Sequence, residues 1–392
     1  MKIIHITASY KPAYTYGGPI QSVGKLCEAL QKTDSERGEP ENSIIVLTTS
    51  ANGNNELNVQ SDKPVLVDDV LVTYFKRWTK DHSHLSPGLL LRLWRTVKEP
   101  QPDNEKIIIH IHAWWNLVSV LSCLIAVLQK MTIVLSPRGM LTSYSQNNRN
   151  SIAKIIIHKL IGKRLLEKCH IHATSEQEKI EILNIVKPKS IHVIANLVNI
   201  AKAEECKSKS VDSNLFKLIF LSRIEEKKGL EFLFDVLSLL EFPWSLTIAG
   251  GGEEKYIESL KLKAKVLEIQ QQIDWLGPIG NGSKFELMSV HDLLVLTSFN
   301  ENFANVVIES LSVGTPVLIS KQVGLSDYVQ DKNLGWVCEL TTKSIQDQLI
   351  ASYLDLNKRE IIRNTAPTIV RADFKDQVLV RKYLQLYYGI LA

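Results

Sequence analysis

The chain has 392 residues, more than one typical hydrophobic core holds, so its length suits two domains of ordinary size. Its 45% hydrophobic and 22% charged content is that of a folded soluble protein. The net charge of +4 is mild and comes with no interleaved aromatic and basic motif, so nothing argues for nucleic acid. Five scattered cysteines, odd in number and without a C-x-x-C pair, suit a reducing compartment.

MKIIHITAS at the N-terminus is too short and polar for a signal peptide and reads as a strand, Lys2 to Thr7, so a cytoplasmic protein is expected. Helical spacing runs from Ile20 to Leu30. In the loop between them, Gly17 and Gly18 allow close backbone approach to a ligand or form a plain tight turn. Ile44 to Thr48 and Val65 to Phe75 read as strands, and Leu89 to Val97 as a helix. In EKIIIHIHAWWN, Ile107 to Ile111 form a buried strand. His112, Trp115 and Asn116 then fall at its C-terminal end, where open α/β sheets bind ligands. His110 and His112 share a face, but no third ligand has metal-site spacing, so no metal is expected. Leu117 to Leu135 is very apolar but interrupted by Lys130, so a buried helix plus strand is expected rather than a membrane span. The strand Thr132 to Ser136 ends in SPRGM, where Arg138 meets a phosphate or acidic acceptor group, or forms a surface ion pair. Isoleucines and leucines at helical spacing follow in RNSIAKIIIHKLIGKRLLEKC, with a basic side of Lys154, Lys159, Lys163, Arg164 and Lys168. That side is a solvated face or a contact for anionic lipid.

His170 to Ala173 is a short strand, TSEQE starts a helix with a cap-like serine, and His192 to Ala195 leads into NLVN. The polar run Lys202 to Asn214 reads as a linker. Strand and helix alternation resumes at Leu215. Arg223 follows a strand and Lys228 precedes a helix; two such cations neutralise a diphosphate, or belong to a solvated charge run with Lys227. DWLGPI is another strand end. Leu293 to Leu296 is a buried strand, Ser298 to Asn302 a polar turn, and Val306, Val307, Leu311 and Val313 mark a helix stopped by Gly314 and Pro316. A helix mouth at a parallel strand end attracts phosphate, so a carboxylate there, Glu301, needs another task, such as accepting from sugar hydroxyls. Glu309, about two turns on, reaches a ribose by the same logic, or the two glutamates are a solvated pair. Lys375 to Leu391 is an aromatic-rich helix.

The E-x7-E spacing of Glu301 and Glu309, followed by ESLSVGTPV, resembles the signature of retaining GT-B glycosyltransferases of glycosyltransferase family four. The resemblance covers most of the chain and is strongest from Arg223 to Pro316. It implies that Glu301 contacts the donor sugar and Glu309 the nucleotide ribose. The R-x4-K-G match assigns Arg223 and Lys228 to the donor diphosphate, and the Gly17–Gly18 loop faces it. By the same resemblance His112 bonds the donor sugar, Ile279 lies at the base, and Phe303, Ala304 and Asn305 border the donor at the helix mouth. Trp115, Asn116 and Arg138 fall on the acceptor side. Two departures stand out: Ala304 replaces the usual Gly, which would narrow the donor pocket, and Leu197 and Asn199 replace the Gly and Asp of N-G-V-D.

The implied fold is α/β: two Rossmann-like domains, 1–200 and 215–371, facing across a cleft, with 372–392 crossing back to the first. The implied reaction moves a sugar from a UDP- or GDP-sugar to a hydroxyl of a saccharide or lipid-linked saccharide, as in surface polysaccharide or glycolipid assembly. Contact with an anionic membrane at the inner face of the cell membrane accompanies this. No cofactor is expected, and the absence of any D-x-D fits a metal-independent site. The rivals are an epimerase or phosphorylase on the same architecture, or an inactive sugar-nucleotide-binding subunit, which Ala304 keeps in play.

Overall fold

A computed structural model describes residues 1–36, 43–81, 83–100, 105–142, 145, 161–201 and 215–392. The chain forms two compact units, one of Met1–Leu197 with Asp376–Ala392 and one of Val198–Lys375.

The strands of unit 1 are β1 (Lys2–Thr7), β2 (Ser43–Thr49), the short hairpin β3 (Ala51–Asn52) and β4 (Asn55–Glu56), β5 (Pro64–Val67), β6 (Val70–Phe75), β7 (Ile107–His112), β8 (Thr132–Ser136), β9 (His170–Ala173) and β10 (Ser190–Val193). Eight of them form one sheet in the order β10-β9-β8-β7-β1-β2-β6-β5. All its pairings are parallel except the hairpin of β5 with β6. Continuous apolar runs such as IIIHIH are buried at every position, as strands covered on both faces require. The order reverses between β1 and β7, which makes their C-terminal ends a switch point. Asn116 and Ser175 cap the helices Leu117–Leu128 and Glu176–Ile185, accepting from Ser119 N at 2.8 Å and Glu178 N at 3.2 Å.

The C-terminal helix Asp376–Leu391 buries Leu379, Val380, Tyr383, Leu384, Leu386 and Tyr387 in unit 1, and Asp376 pairs with Lys25 at 3.0 Å. The crossing back therefore begins at Asp376 rather than 372, because the helix Leu356–Asp373 stays in unit 2. The other end of unit 2 also differs from expectation. Residues 198–201 belong to it, since Ala201 N donates to Ser312 Oγ at 3.1 Å and Arg371 Nη2 to the Ala201 carbonyl at 3.3 Å. The expected linker 202–214 lies outside the described residues, as does most of the basic amphipathic segment before Ile161. Among the described residues no helix is long and apolar enough to cross a membrane.

Unit 2 contains β11 (Phe216–Leu221), β12 (Trp244–Ala249), β13 (Ile273–Gly277), β14 (Leu293–Leu296), β15 (Val317–Ser320) and β16 (Gly335–Cys338). They form a parallel sheet ordered β13-β12-β11-β14-β15-β16, the 3-2-1-4-5-6 arrangement of a Rossmann fold. Its switch point lies between β11 and β14. Those two strands end at Arg223 and at the Ser298–Asn302 turn.

Candidate functional site

At the unit 2 switch point the chain leaves β11 through Arg223 into a tight turn, Glu226–Lys228, and then Gly229. Gly229 has φ 70°, and a Cβ there would lie 2.2 Å from the Thr297 carbonyl oxygen. Only glycine lets this turn press against the end of β14. The contact delivers the buried Lys228 ammonium onto the Glu301 carboxylate, with which it forms an ion pair. Arg223 pairs with Glu225 at 2.6 Å, and Lys227 lies 3.6 Å from the same carboxylate.

Glu301 is fixed through its backbone as well. Its N–H donates to the Gln322 carbonyl at 3.1 Å, and its carbonyl accepts from Gly324 N at 2.8 Å. Burial would push its carboxyl upward, but Lys228, Lys227 and Arg223 together hold it below the usual carboxylate range. Burial, then the neighbouring Lys228, lowers the Lys227 ammonium. Lys227 thus belongs to the cluster, although EEKK reads as a solvated charge run.

The helix Asn305–Ser312 opens beside Glu301, so the partial positive charge of its N-terminal end lies at the same turn. Ala304 precedes it at φ 65° and ψ 74°, so the methyl group is carried in the left-handed region that favours glycine. That conformation carries local strain for a residue with a Cβ. Phe303 is buried and packs edge-on against Phe374, with centroids 6.1 Å apart, leaving its main chain at the mouth. Glu309 is buried about one turn along the same helix, and Lys284 Nζ donates to its Oε1 at 2.5 Å. Ile279 is half-buried in the turn between β13 and the helix Asn281–Ser289. Arg223, Lys228, Glu301, Ala304 and Asn305 are thus gathered at one switch point. Lys227 and Lys284 are the members that the sequence did not single out.

At the unit 1 switch point, Gly17 has φ 70° and Gly18 opens the helix Gly18–Glu36. His112 is buried at the end of β7, with Nε2 2.9 Å from His5 Nδ1 and Nδ1 3.4 Å from Arg138 Nε. His5 stands opposite His110 in the β1–β7 register, so the third histidine comes from the adjacent strand. His5, His110 and His112 offer ligand atoms within 4.8 Å of one another, closer than sequence spacing suggested. Most of the cluster is engaged in hydrogen bonds, while His5 Nε2 is buried without a partner among the described residues. His110 meets Tyr387 and Ser136 oxygens, each at 2.7 Å, and the Arg138 guanidinium beside His112 repels a cation. Burial keeps His5 and His172 largely neutral, lowering each to about 3, and the Arg138 charge adds to this.

Arg138 itself has φ 54°. Its Nη1 donates to Ser22 Oγ at 2.9 Å and to Asn196 Oδ1 at 3.0 Å. Among the described residues it has no ion pair, so the expected surface pairing is not formed. The nearby Glu178 carboxylate already accepts from Gly139 N and Thr174 N, each at 2.7 Å. Trp115 donates to the Met140 carbonyl, and Asn116 caps its helix, so both side chains are committed to the frame of unit 1.

Residues 201–368 match the family model described as glycosyl transferases group 1. One curated relative is the N-acetyl-alpha-D-glucosaminyl L-malate synthase of Bacillus anthracis, 27% identical over 44% of this chain and 45% of the relative. Another is the D-inositol 3-phosphate glycosyltransferase of Pseudarthrobacter chlorophenolicus, 22% identical over 79% of this chain and 75% of the relative. The matched stretch is about half the length of several such relatives. Among solved structures, Anabaena Alr3699/HepE in complex with UDP and glucose superposes with a TM-score of 0.73 at 17% identity, over 99% of this chain and 100% of that one. The fold match spans both units, while the family model falls within unit 2.

Proposed function

We propose, since residues 201–368 are a glycosyl transferases group 1 domain and the fold is GT-B, that the chain moves a sugar from a nucleotide-sugar to an acceptor hydroxyl with retention. The observation that carries this reading is the meeting of Arg223, Lys228 and Glu301 at the switch point of unit 2, beside the Asn305 helix mouth. The cations and the helix N–H groups would stabilise the departing diphosphate without a divalent ion. Glu301 and Glu309 would accept from sugar and ribose hydroxyls. The bond from the anomeric carbon to the phosphate oxygen breaks, the acceptor oxygen bonds on the same face, and its proton passes to the leaving phosphate.

A UDP- or GDP-sugar is the donor in this reading. The UDP complex of the Anabaena neighbour supports the class. Arg138, charged and without a carboxylate partner, supports an acceptor that carries an acidic group, as L-malate and inositol 3-phosphate do in the relatives' names. Peripheral contact with an anionic membrane is supported by two exposed tryptophans with basic neighbours in sequence: Trp78, 76% exposed, between Lys76 and Lys80, and Trp94, 40% exposed, among Arg92, Arg95 and Lys98.

A thermal-shift screen over UDP- and GDP-sugars tests the donor assignment. A specific donor at a hundred times its Kd stabilises by about 2.7 kcal/mol. A panel in which no member raises the melting temperature would overturn it. Conversion of the stabilising donor without any acceptor would favour an epimerase, and a requirement for phosphate a phosphorylase.

A further inference from the structure

We infer that Lys284 is a positioning residue for the donor ribose, acting through Glu309; this rests on the donor reading of unit 2. Its surroundings in sequence, NGSKFEL, are those of an ordinary polar helix, and a lysine there would be expected in water. Instead its side chain is 6% exposed and that of Glu309 5%, and the two form an ion pair at 2.5 Å. Lysine and glutamate are almost never buried so completely unless paired, because a lone buried charge is costly.

The pair joins two pieces of the proposed donor site. Lys284 is on the helix Asn281–Ser289, which starts just after the Ile279 turn. Glu309 is on the helix Asn305–Ser312, whose mouth carries Ala304 and Asn305. Lys284 Nζ also lies 5.1 Å from the Phe285 ring centroid, so the ammonium is held within the packing. An ionised carboxylate only accepts hydrogen bonds, and that is the form a ribose diol needs. Pairing Oε1 with a cation in a buried place sets the rotation of the carboxylate plane. Lys284 is separate from the diphosphate cluster, in which Lys228 takes Glu301.

The test compares binding of UDP with that of 2′-deoxy-UDP, and GDP with 2′-deoxy-GDP, by calorimetry on the whole chain. Wild type is expected to prefer the ribonucleotide by about tenfold, the weight of one hydrogen bond to a charged group. Lys284→Met is expected to reduce that preference to about threefold or less, while affinity for pyrophosphate stays the same, and Lys284→Arg to restore it. Lys284→Gln, a smaller insult to the packing, stands in where Lys284→Met does not fold. A folded Met or Gln variant that keeps the full preference would overturn the inference and leave the donor reading intact. A wild type that binds ribo and deoxy forms equally would likewise overturn the inference alone, and one that binds neither nucleotide would overturn both.

Discussion

Lys228→Met isolates the central ion pair, because methionine keeps the bulk and removes the charge. Removing one partner of a buried pair costs about 3–5 kcal/mol. The Glu301 side chain is 21% exposed and Lys227 and Arg223 still face it, so about 2 kcal/mol is expected here. For a unit of this size that lowers its melting temperature by about 4–8 °C. The pH dependence follows from Glu301, whose carboxyl is held below its ordinary value in the folded chain. The stability it contributes is present above the unfolded carboxylate range and is lost as pH falls through the folded value. In the variant, burial is less offset, so Glu301 takes up a proton at higher pH and relieves the strain earlier. The penalty should be largest near neutral pH and shrink steadily in acid. Scanning calorimetry of both proteins from pH 8 to about pH 4.5 reads this directly. A penalty that stays constant across that range would refute the assignment of the pair. Transfer should fall about 100- to 1,000-fold in the same variant.

Ala304→Gly should release left-handed strain and stabilise unit 2 by about 0.5–1 kcal/mol, after the greater unfolded-state freedom of glycine is deducted; an unchanged or lower melting temperature would contradict the strain. Gly229→Ala should cost about 3 kcal/mol or more, with loss of donor binding, because its Cβ would meet the Thr297 carbonyl oxygen at 2.2 Å. In unit 1, His5 and His172 are each lowered to about 3, so the unfolded chain binds more protons below pH 6.5. Stability should then fall by about 1.4 kcal/mol per pH unit for each of them, and His5→Asn should flatten the slope by one such increment in urea titrations at several pH values.

What the sequence disclosed was chemistry carried in short runs. Arg223 with Lys228, and Glu301 with Glu309, lie within single loop-and-helix segments, and parallel-strand patterning places those segments at strand ends. The partners of those residues were hidden. Lys284 meets Glu309 across two helices 25 positions apart, and nothing in a polar helix marks its lysine as buried. His5 reaches His112 across 107 positions by strand register alone, which no spacing rule detects. The unit boundary shows the same limit: composition marks the polar run after Ala201, while contacts place the division at Leu197 and Val198. The Ala304 departure was legible as a residue change, but its left-handed backbone was not.

The return of the last helix makes unit 1, unlike unit 2, depend on two separate stretches of chain. Unit 2 is one uninterrupted stretch whose two ends are tied by Arg371 and Ala201, so it needs no segment from outside itself. The half translated first must wait for its missing piece, since Tyr383 and Tyr387 supply hydroxyls to His172 and His110 deep inside it. A chain cut before Asp376 would therefore keep every strand and helix of the later half and leave the earlier one without its closing helix.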